Sequence, residues 1–315
     1  MWVLRRIMVS LLLLWAVTTI VFFAIHLVPG DPAQMLLSQA GAAPSEAALV
    51  QLRSRLGLDQ PIAFQYVDFI TGTLHGDLGR SLVDRASVGG EIARRLPRTL
   101  ELIGLAALVA LVVGTIGGLY AAIWRGRWFD RVARTLSSGA LSIPVFVTGS
   151  LLVLVFAQRL GLVPAGGFVP FERDPLAHIS LVVLPVASIA LGLSAIVFRV
   201  SRAAVLDVLS RDYIKVARAK GMPVSRILPV FVLRNAAAPV ITVTALEIGA
   251  LFGGTVLVEY VFNWPGLSGL LVEAVNARDY PMVVGVVLTV SVLYVLVSLV
   301  VDLLYGILDP RVVRQ

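Results

Sequence analysis

Six apolar stretches, at approximately residues 7–28, 99–123, 135–158, 180–200, 237–258 and 282–305, set the plan of this chain. A helix that crosses a bilayer needs about 20 mainly apolar residues, and each stretch comes close to that length. The pattern predicts an all-α integral membrane protein with six transmembrane helices. The first stretch follows Arg5 and Arg6 and has, at first sight, the layout of a secretory signal. Its apolar run from Ile7 to Val28 is longer than the roughly 7–15 residues of a signal core, and no small-x-small cleavage site closes it. It reads as a retained anchor.

The longest polar interval, 29–98, has its own pattern. Pro29-Gly30-Asp31-Pro32 ends the first span, because proline breaks a helix and biases the residue before it away from α. Ser45 is placed to cap a short amphipathic helix carrying Leu49, Leu52 and Leu56, with Gly57 as its stop. A second stripe, Phe64, Val67 and Ile70, ends near Gly72, and Gly76-Asp77-Leu78-Gly79 is a turn signal. About 70 residues with so few apolar positions form a marginal core alone. The segment is expected to pack on the membrane domain or on a partner.

Composition agrees with this reading. Apolar residues make up 58% of the chain and charged residues 14%, against about 25% charged in a soluble domain. The net charge of +7 could suggest nucleic acid, but the basic residues occupy short loops between apolar runs. That placement reports topology and lipid headgroups instead. With the N-terminus inside, sixteen of the 26 lysines and arginines fall in cytoplasmic segments. The short outer loops hold only Arg159, Arg173 and Arg278, and both termini are expected in the cytoplasm. The chain then divides into an N-terminal anchor (1–28), an extracytoplasmic segment (29–98), a five-helix core (99–305) and a cytoplasmic tail (306–315). The core includes a cytoplasmic loop at 201–235.

Most catalytic readings fail on the residues. Neither lysine, Lys215 nor Lys220, follows a glycine, so the Gly-x4-Gly-Lys-Ser/Thr phosphate cradle is absent. His26, His75 and His178 lack ligand spacing, there is no cysteine, and no metal site is expected. Gly266-Leu267-Ser268-Gly269 matches the Gly-x-Ser-Gly of the rhomboid intramembrane proteases. A serine nucleophile needs a base, no histidine follows His178, and the motif sits in an outer loop after Trp264-Pro265, so a turn is the better reading. Glu247 is the clear mid-span carboxyl. A charged acid at a helix centre costs roughly 2.5–3.5 kcal/mol on insertion scales, so Glu247 is expected to face a water-filled pathway or a polar core contact. Gly114-x3-Gly118 and Gly249-x3-Gly253 permit close helix approach, and Pro144 and Pro185 are candidate kinks.

The loop at 201–235 carries the most specific pattern. Ser210 is a plausible N-cap for a short helix, Asp212 suits its positive end and Lys220 its negative end. Gly221 fits a left-handed stop, and Pro223 suits the start of a second helix. Tyr213, Val216, Ala217 and Lys220 share one face, and Arg211, Lys215 and Arg218 another. A lipid-adhering amphipathic helix would share the charge, but it would not require two capped helices meeting at a glycine.

Asp212-Tyr-Ile-Lys-Val-Ala-Arg-Ala-Lys-Gly221, followed by Leu233-Arg-Asn235, resembles the cytoplasmic loop of permease subunits of binding-protein-dependent ABC importers. More narrowly it resembles the first permease of the dipeptide, oligopeptide and nickel group. Supporting matches, in order, are Leu27-Val-Pro-Gly-Asp-Pro32, Leu56-Gly-Leu-Asp-Gln-Pro61, Gly76-Asp-Leu-Gly79, Arg95-Leu-Pro97, Ser142-Ile-Pro-Val-Phe146, Phe262-Asn-Trp-Pro-Gly266, Asp302-Leu-Leu-Tyr305 and Leu308-Asp-Pro-Arg311. The general importer loop begins Glu-Ala-Ala; here Lys215 and Val216 replace the first two residues, while Ala217 and Gly221 fit. The resemblance implies the type I importer permease fold in a bacterial plasma membrane, with no cofactor on this chain. It also implies a second homologous permease, two ATPase subunits carrying ATP and Mg, and an extracytoplasmic binding protein. Asp212, Tyr213, Lys215, Ala217, Arg218, Lys220 and Gly221 would then couple this chain to an ATPase subunit by alternating access. The rival from another class is a self-sufficient channel or secondary transporter, which usually places several ionisable residues in its spans or shows matching halves.

Overall fold

A computed structural model describes residues 2–26, 34, 45–55 and 59–308. The motifs expected at 27–32, the Gly57 stop and the end of the chain from Asp309 lie outside the described residues. The described residues are helical apart from turns and irregular connections and an isolated bridge between Arg80 and Ser87. In order the helices are α1 (Trp2–His26), α2 (Glu46–Arg55), α3 (Ile62–Leu74), α4 (Val88–Ile123), α5 (Trp128–Ser142) and α6 (Val145–Leu152, extended by a π-helix Val153–Arg159). They continue with α7 (Pro175–Ser210), α8 (Asp212–Ala219), α9 (Val224–Ile227, extended by a π-helix Leu228–Leu233), α10 (Arg234–Gly254), α11 (Val256–Val261), α12 (Leu267–Asn276) and α13 (Tyr280–Leu308).

Among the described residues five helical runs are long and apolar enough to cross a membrane: those of α1, α4, α7, α9 through α10, and α13. The sixth expected span, 135–158, is not one straight helix. α5 and α6 meet at a bend of 104°, with Ile143 and Pro144 both extended between them. Pro144 has no N–H to continue the ladder and its ring crowds the preceding turn, so an expected kink becomes a break. Pro185, in contrast, lies inside a continuous α7.

Two compact units divide the chain: residues 1–7, 97–269 and 293–315 form one, and 8–96 with 270–292 the other. In the first unit α7 is the hub, against which α5, α6 and α10 pack. Gly114 and Gly118 of α4 make this packing tight: a Cβ at either would lie 2.7–2.9 Å from the backbone or β-carbons of α7. This glycine pair is therefore used inside the chain. Gly249 similarly lies under the Tyr294 ring, whereas Gly253 faces open space.

In the second unit α1 and α3 share an aromatic contact. Phe22 meets Tyr66 and Phe69 at centroid distances of 5.3 and 5.4 Å, and the Thr19 and Tyr66 hydroxyls are 2.7 Å apart. Ser45 caps α2 as expected, its Oγ accepting the Ala48 amide at 3.3 Å. Gly76 and Gly79 both have positive φ, which makes the predicted turn.

Candidate functional site

The loop after α7 is built on the chain's own apolar surface. α7 runs to Ser210, nearly three turns past the expected end of the span at residue 200, and the Ser210 hydroxyl donates to the Asp207 carbonyl. Ser210 is thus the last residue of α7 and not a cap. Arg211, extended at ψ 147°, opens α8 without a side-chain cap. Ile214 and Ala217 turn inward and join Val205, Val208, Ile227 and Val232 in one buried cluster. Burying an isoleucine is worth about 1.5–3 kcal/mol, so Ile214, fully enclosed, is the main fastener of α8.

The far end of α8 closes by a Schellman turn. The Met222 amide donates to the Ala217 carbonyl at 3.1 Å and the Gly221 amide to the Arg218 carbonyl at 2.9 Å. Gly221 has φ +76°, a conformation that disfavours residues with a Cβ. Pro223 then sets the start of α9, as its fixed φ suits.

What faces away from the chain is a mixed surface. Asp212, Tyr213, Lys215, Val216, Arg218 and Lys220 are exposed, and Val216 leaves half its surface open. Lys215 bonds Asp212 at 2.8 Å and Arg211 bonds Asp207 at 2.7 Å. Ala217 had been expected on the outward face beside Val216. The structure buries it, because a face with Ile214 at its centre takes in the residue one turn on. Glu247, in α10, is half-buried and makes no hydrogen bond or ion pair among the described residues.

Two polar arrangements in this unit had no sequence signal beyond their residue types. Asp130 is buried at the start of α5. It takes a two-pronged contact from the Arg202 guanidinium at 2.7 and 2.9 Å and the Gly126 amide at 2.9 Å. This ties the turn after α4 to the cytoplasmic end of α7, from which α8 follows. Arg202 figured in the sequence only as a topology charge.

The second arrangement lies beyond the end of α10. Glu259 is buried in α11, and its carboxylate accepts the Thr99 hydroxyl at 2.7 Å and the Ser268 and Gly269 amides at 2.8 and 3.0 Å. It thereby caps the N-terminus of α12 from the helix immediately before it. Burial pushes its carboxyl above the usual range, and the donated hydrogen bonds oppose that rise. Gly266 has no room for a Cβ against this carboxylate. Trp264, within the Phe262–Gly266 motif, is buried and donates from Nε1 to the Arg98 carbonyl at 3.1 Å. Ser268 is therefore a structural residue: its amide serves Glu259 and its hydroxyl faces that of Thr255 at 3.4 Å. His178 packs edge-on against Trp264 at 5.9 Å and contacts Glu101 at 2.6 Å and the Val169 carbonyl at 2.7 Å.

Comparison with known proteins decides the family. Residues 114–314 match the binding-protein-dependent transport system inner membrane component, and residues 1–103 match the N-terminal region of such membrane components. The chain belongs to that family. The permease is 39% identical to the glutathione transport system permease protein GsiC of Escherichia coli strain CFT073, over 99% of this chain and 98% of the relative. To the GsiC of Shigella dysenteriae serotype 1 it is 38% identical over the same shares. A crystal structure of an amino acid ABC transporter with histidines superposes with a TM-score of 0.51 at 17% identity, covering 69% of this permease and 93% of that chain; it supports the fold alone. The protein is a multi-pass permease subunit of an ABC importer in a bacterial inner membrane, a transport component and not an enzyme. That sets aside the channel, secondary-transporter and protease alternatives.

Proposed function

We propose that this permease forms one half of the pathway through which a short peptide or peptide-like solute, glutathione being one candidate, enters the cell. A second homologous permease supplies the other half, and an extracytoplasmic binding protein delivers the solute. Two ATPase subunits, which hold the ATP and Mg, dock beneath the cytoplasmic loops. The observation that carries this reading is similarity along the whole length to a glutathione permease, joined to a capped helix that shows charged and apolar side chains to the cytoplasm.

In this mechanism α8 inserts into a cleft on an ATPase subunit. Asp212, Tyr213, Lys215, Val216, Arg218 and Lys220 meet the partner, Ala217 seats the helix and Gly221 permits the turn that presents it. ATP shifts the conformational equilibrium because it binds one arrangement of the ATPases more tightly. The helix transmits that shift to α7 and α10, which are packed around its base. Glu247 lies on the pathway or in a polar contact with the second permease, either of which offsets the cost of a mid-span carboxyl.

The test is reconstitution. The complex purified through a tag on this chain should contain ATPase subunits in stoichiometric amount and take up labelled glutathione or dipeptide only when ATP and the binding protein are present. Uptake by the isolated chain without ATPase subunits would overturn the reading. Normal uptake by Glu247→Gln with poor assembly of Glu247→Leu would assign Glu247 to the polar contact.

A further inference from the structure

The short turn between α4 and α5 is fixed at both faces of its glycine. Gly126, at φ +78°, donates its amide to the buried Asp130 carboxylate at 2.9 Å. Its carbonyl accepts Nε and one Nη of Arg131 at 3.2 and 3.1 Å. Asp130 is held in turn by Arg202 of α7. Four aromatic rings run on from this turn in edge-on contacts. Tyr120 meets Trp124 at 6.0 Å, Trp124 meets Phe129 at 5.9 Å, and Phe129 meets Trp128 at 6.1 Å. Both tryptophans are exposed, and neither indole N–H finds an acceptor among the described residues.

Charge at the turn stays one-sided after every pair is counted. Among the described residues, the acids at the cytoplasmic end of this unit are Asp130, Asp207, Asp212 and Asp302. Each is already bonded to a cation of the chain. Arg202 and Arg134 hold Asp130, Arg211 holds Asp207, Lys215 holds Asp212 and Arg6 holds Asp302. Arg125 and Arg127, on either side of Gly126, are exposed and form no side-chain hydrogen bond or ion pair among the described residues. Arg131 is spent on a neutral carbonyl, so its charge is uncompensated too.

From this turn α5 carries an open apolar stripe. Trp128, Val132 and Leu136, each one turn from the next, are 71%, 47% and 68% exposed. The opposite side of α5 packs on α7. There Asp130 meets Arg202, and the Ser137 hydroxyl donates to the Ala195 carbonyl at 3.1 Å. These contacts are two turns apart on both helices, so α5 runs antiparallel beside α7 and away from its cytoplasmic end. The stripe thus descends along a membrane span, with the aromatic rings and the arginines at its mouth. That order matches a phospholipid. Indoles favour the level where an apolar body meets polar acceptors, and guanidinium forks suit phosphate. Basic clusters beside a span attract anionic headgroups.

We propose that the α4–α5 turn binds an anionic phospholipid of the cytoplasmic leaflet, with its phosphate at Arg125 and Arg127 and an acyl chain along Trp128, Val132 and Leu136. The turn is already ordered by Asp130 and Arg131, which lowers the cost of fixing the headgroup. Through Asp130 and Arg202 the lipid is held against α7, the helix that leads into α8. The inference goes beyond the importer reading and rests on the topology that puts residues 124–127 in the cytoplasm.

The chain has no cysteine, so Val132→Cys carries a single bimane fluorophore in the middle of the stripe. The experiment places the labelled importer, its partner subunits freed of exposed cysteine, in phosphatidylcholine nanodiscs. Rising fractions of brominated phosphatidylglycerol or of brominated phosphatidylcholine then quench the label. Phosphatidylglycerol should reach half-maximal quenching at about a tenth of the mole fraction that phosphatidylcholine needs, an effect of about fivefold for each arginine. Arg125→Gln with Arg127→Gln should bring the two curves together, and co-purified ATPase subunits check that this variant assembles. Equal quenching by the two lipids without those replacements would mean ordinary bilayer contact and overturn the proposal. So would a preference that survives both replacements. Absence of quenching by either lipid would give the stripe to a protein neighbour such as the second permease, and the proposal would fall. Labelling of Arg125→Cys by an impermeant thiol reagent outside intact cells would fail the topology and the lipid site with it. Uptake by the isolated chain without ATPase subunits would fail the importer reading and leave the lipid site standing.

Discussion

The cytoplasmic helix α8 and the outer cap around Glu259 solve the problem of fixing a short helix in opposite ways. α8 is held by two inward apolar residues, Ile214 and Ala217, and by backbone hydrogen bonds at Gly221; its charged groups remain in water. The start of α12 is held by a buried carboxylate that satisfies two amides of α12 and a hydroxyl of α4. Apolar seating is non-directional and tolerates small adjustments. A buried polar network requires its geometry to be complete, because each unmatched group keeps its full desolvation cost. The comparison teaches where motion is permitted: a helix seated on apolar contacts can shift on its base, and an end locked by directional ones is held in place.

The largest effect should come from breaking the lock. Glu259→Leu leaves the Ser268 and Gly269 amides and the Thr99 hydroxyl without an acceptor, at about 1–3 kcal/mol for each buried group. Thermal unfolding in detergent should show a strong loss of stability, whereas Glu259→Gln, which keeps one oxygen, should lose less. The raised carboxyl adds a sign. A group whose folded pKa lies above its unfolded value of about 4.3 contributes stability that is complete below that value and fades as pH rises through the folded one. Wild-type stability should therefore decline from acid toward neutral pH relative to Glu259→Gln. A parallel pair of pH profiles would show that burial does not govern this carboxyl.

Next in size is Ala217→Arg. Because Ala217 is buried, the substitution should unseat α8 from the cluster instead of obstructing a partner. Limited proteolysis should cut the 211–226 loop faster before any ATPase is added. If the loop stays protected while ATPase pull-down is lost, Ala217 belongs to the docking face after all. Gly221→Val is smaller: a left-handed residue with a Cβ costs about 1–2 kcal/mol, and a Cβ there meets nothing within 4 Å. The penalty is thus one of backbone strain alone. Weaker ATPase pull-down and reduced uptake are expected, with Gly221→Asn close to wild type. Lys215→Ala should be smallest, since its pair with Asp212 is exposed and such pairs contribute about 0–1 kcal/mol. A large loss of uptake with normal stability would instead mark Lys215 as a direct partner contact.

Much of the loop after α7 is legible in sequence because its turn is local. Gly221, Pro223 and the boundary near residue 211 depend on residues within a few positions of one another. The assignment of Ser210 as a cap failed because α7 had enough helix propensity and enough apolar surface to continue through it. Ala217 was misplaced for a related reason: helical spacing groups residues into faces, but which face turns inward depends on what lies beneath. Here that is Val205, Val208 and Val232, from elements before and after α8.

By itself the sequence determined the membrane class, six apolar segments, the inside–outside order and a glycine-closed helix in the cytoplasm. These follow from local hydropathy, loop charge and backbone preference, none of which needs a distant partner. Only the tertiary structure decided that α5 and α6 break at Pro144, that Gly114 and Gly118 serve contacts within the chain, and that Asp130 meets Arg202 and Glu259 meets Thr99 and Ser268. The hydroxyl and carboxylate that join Thr99 to Glu259 are 160 positions apart, and their pairing exists only once helices have packed and excluded water from both.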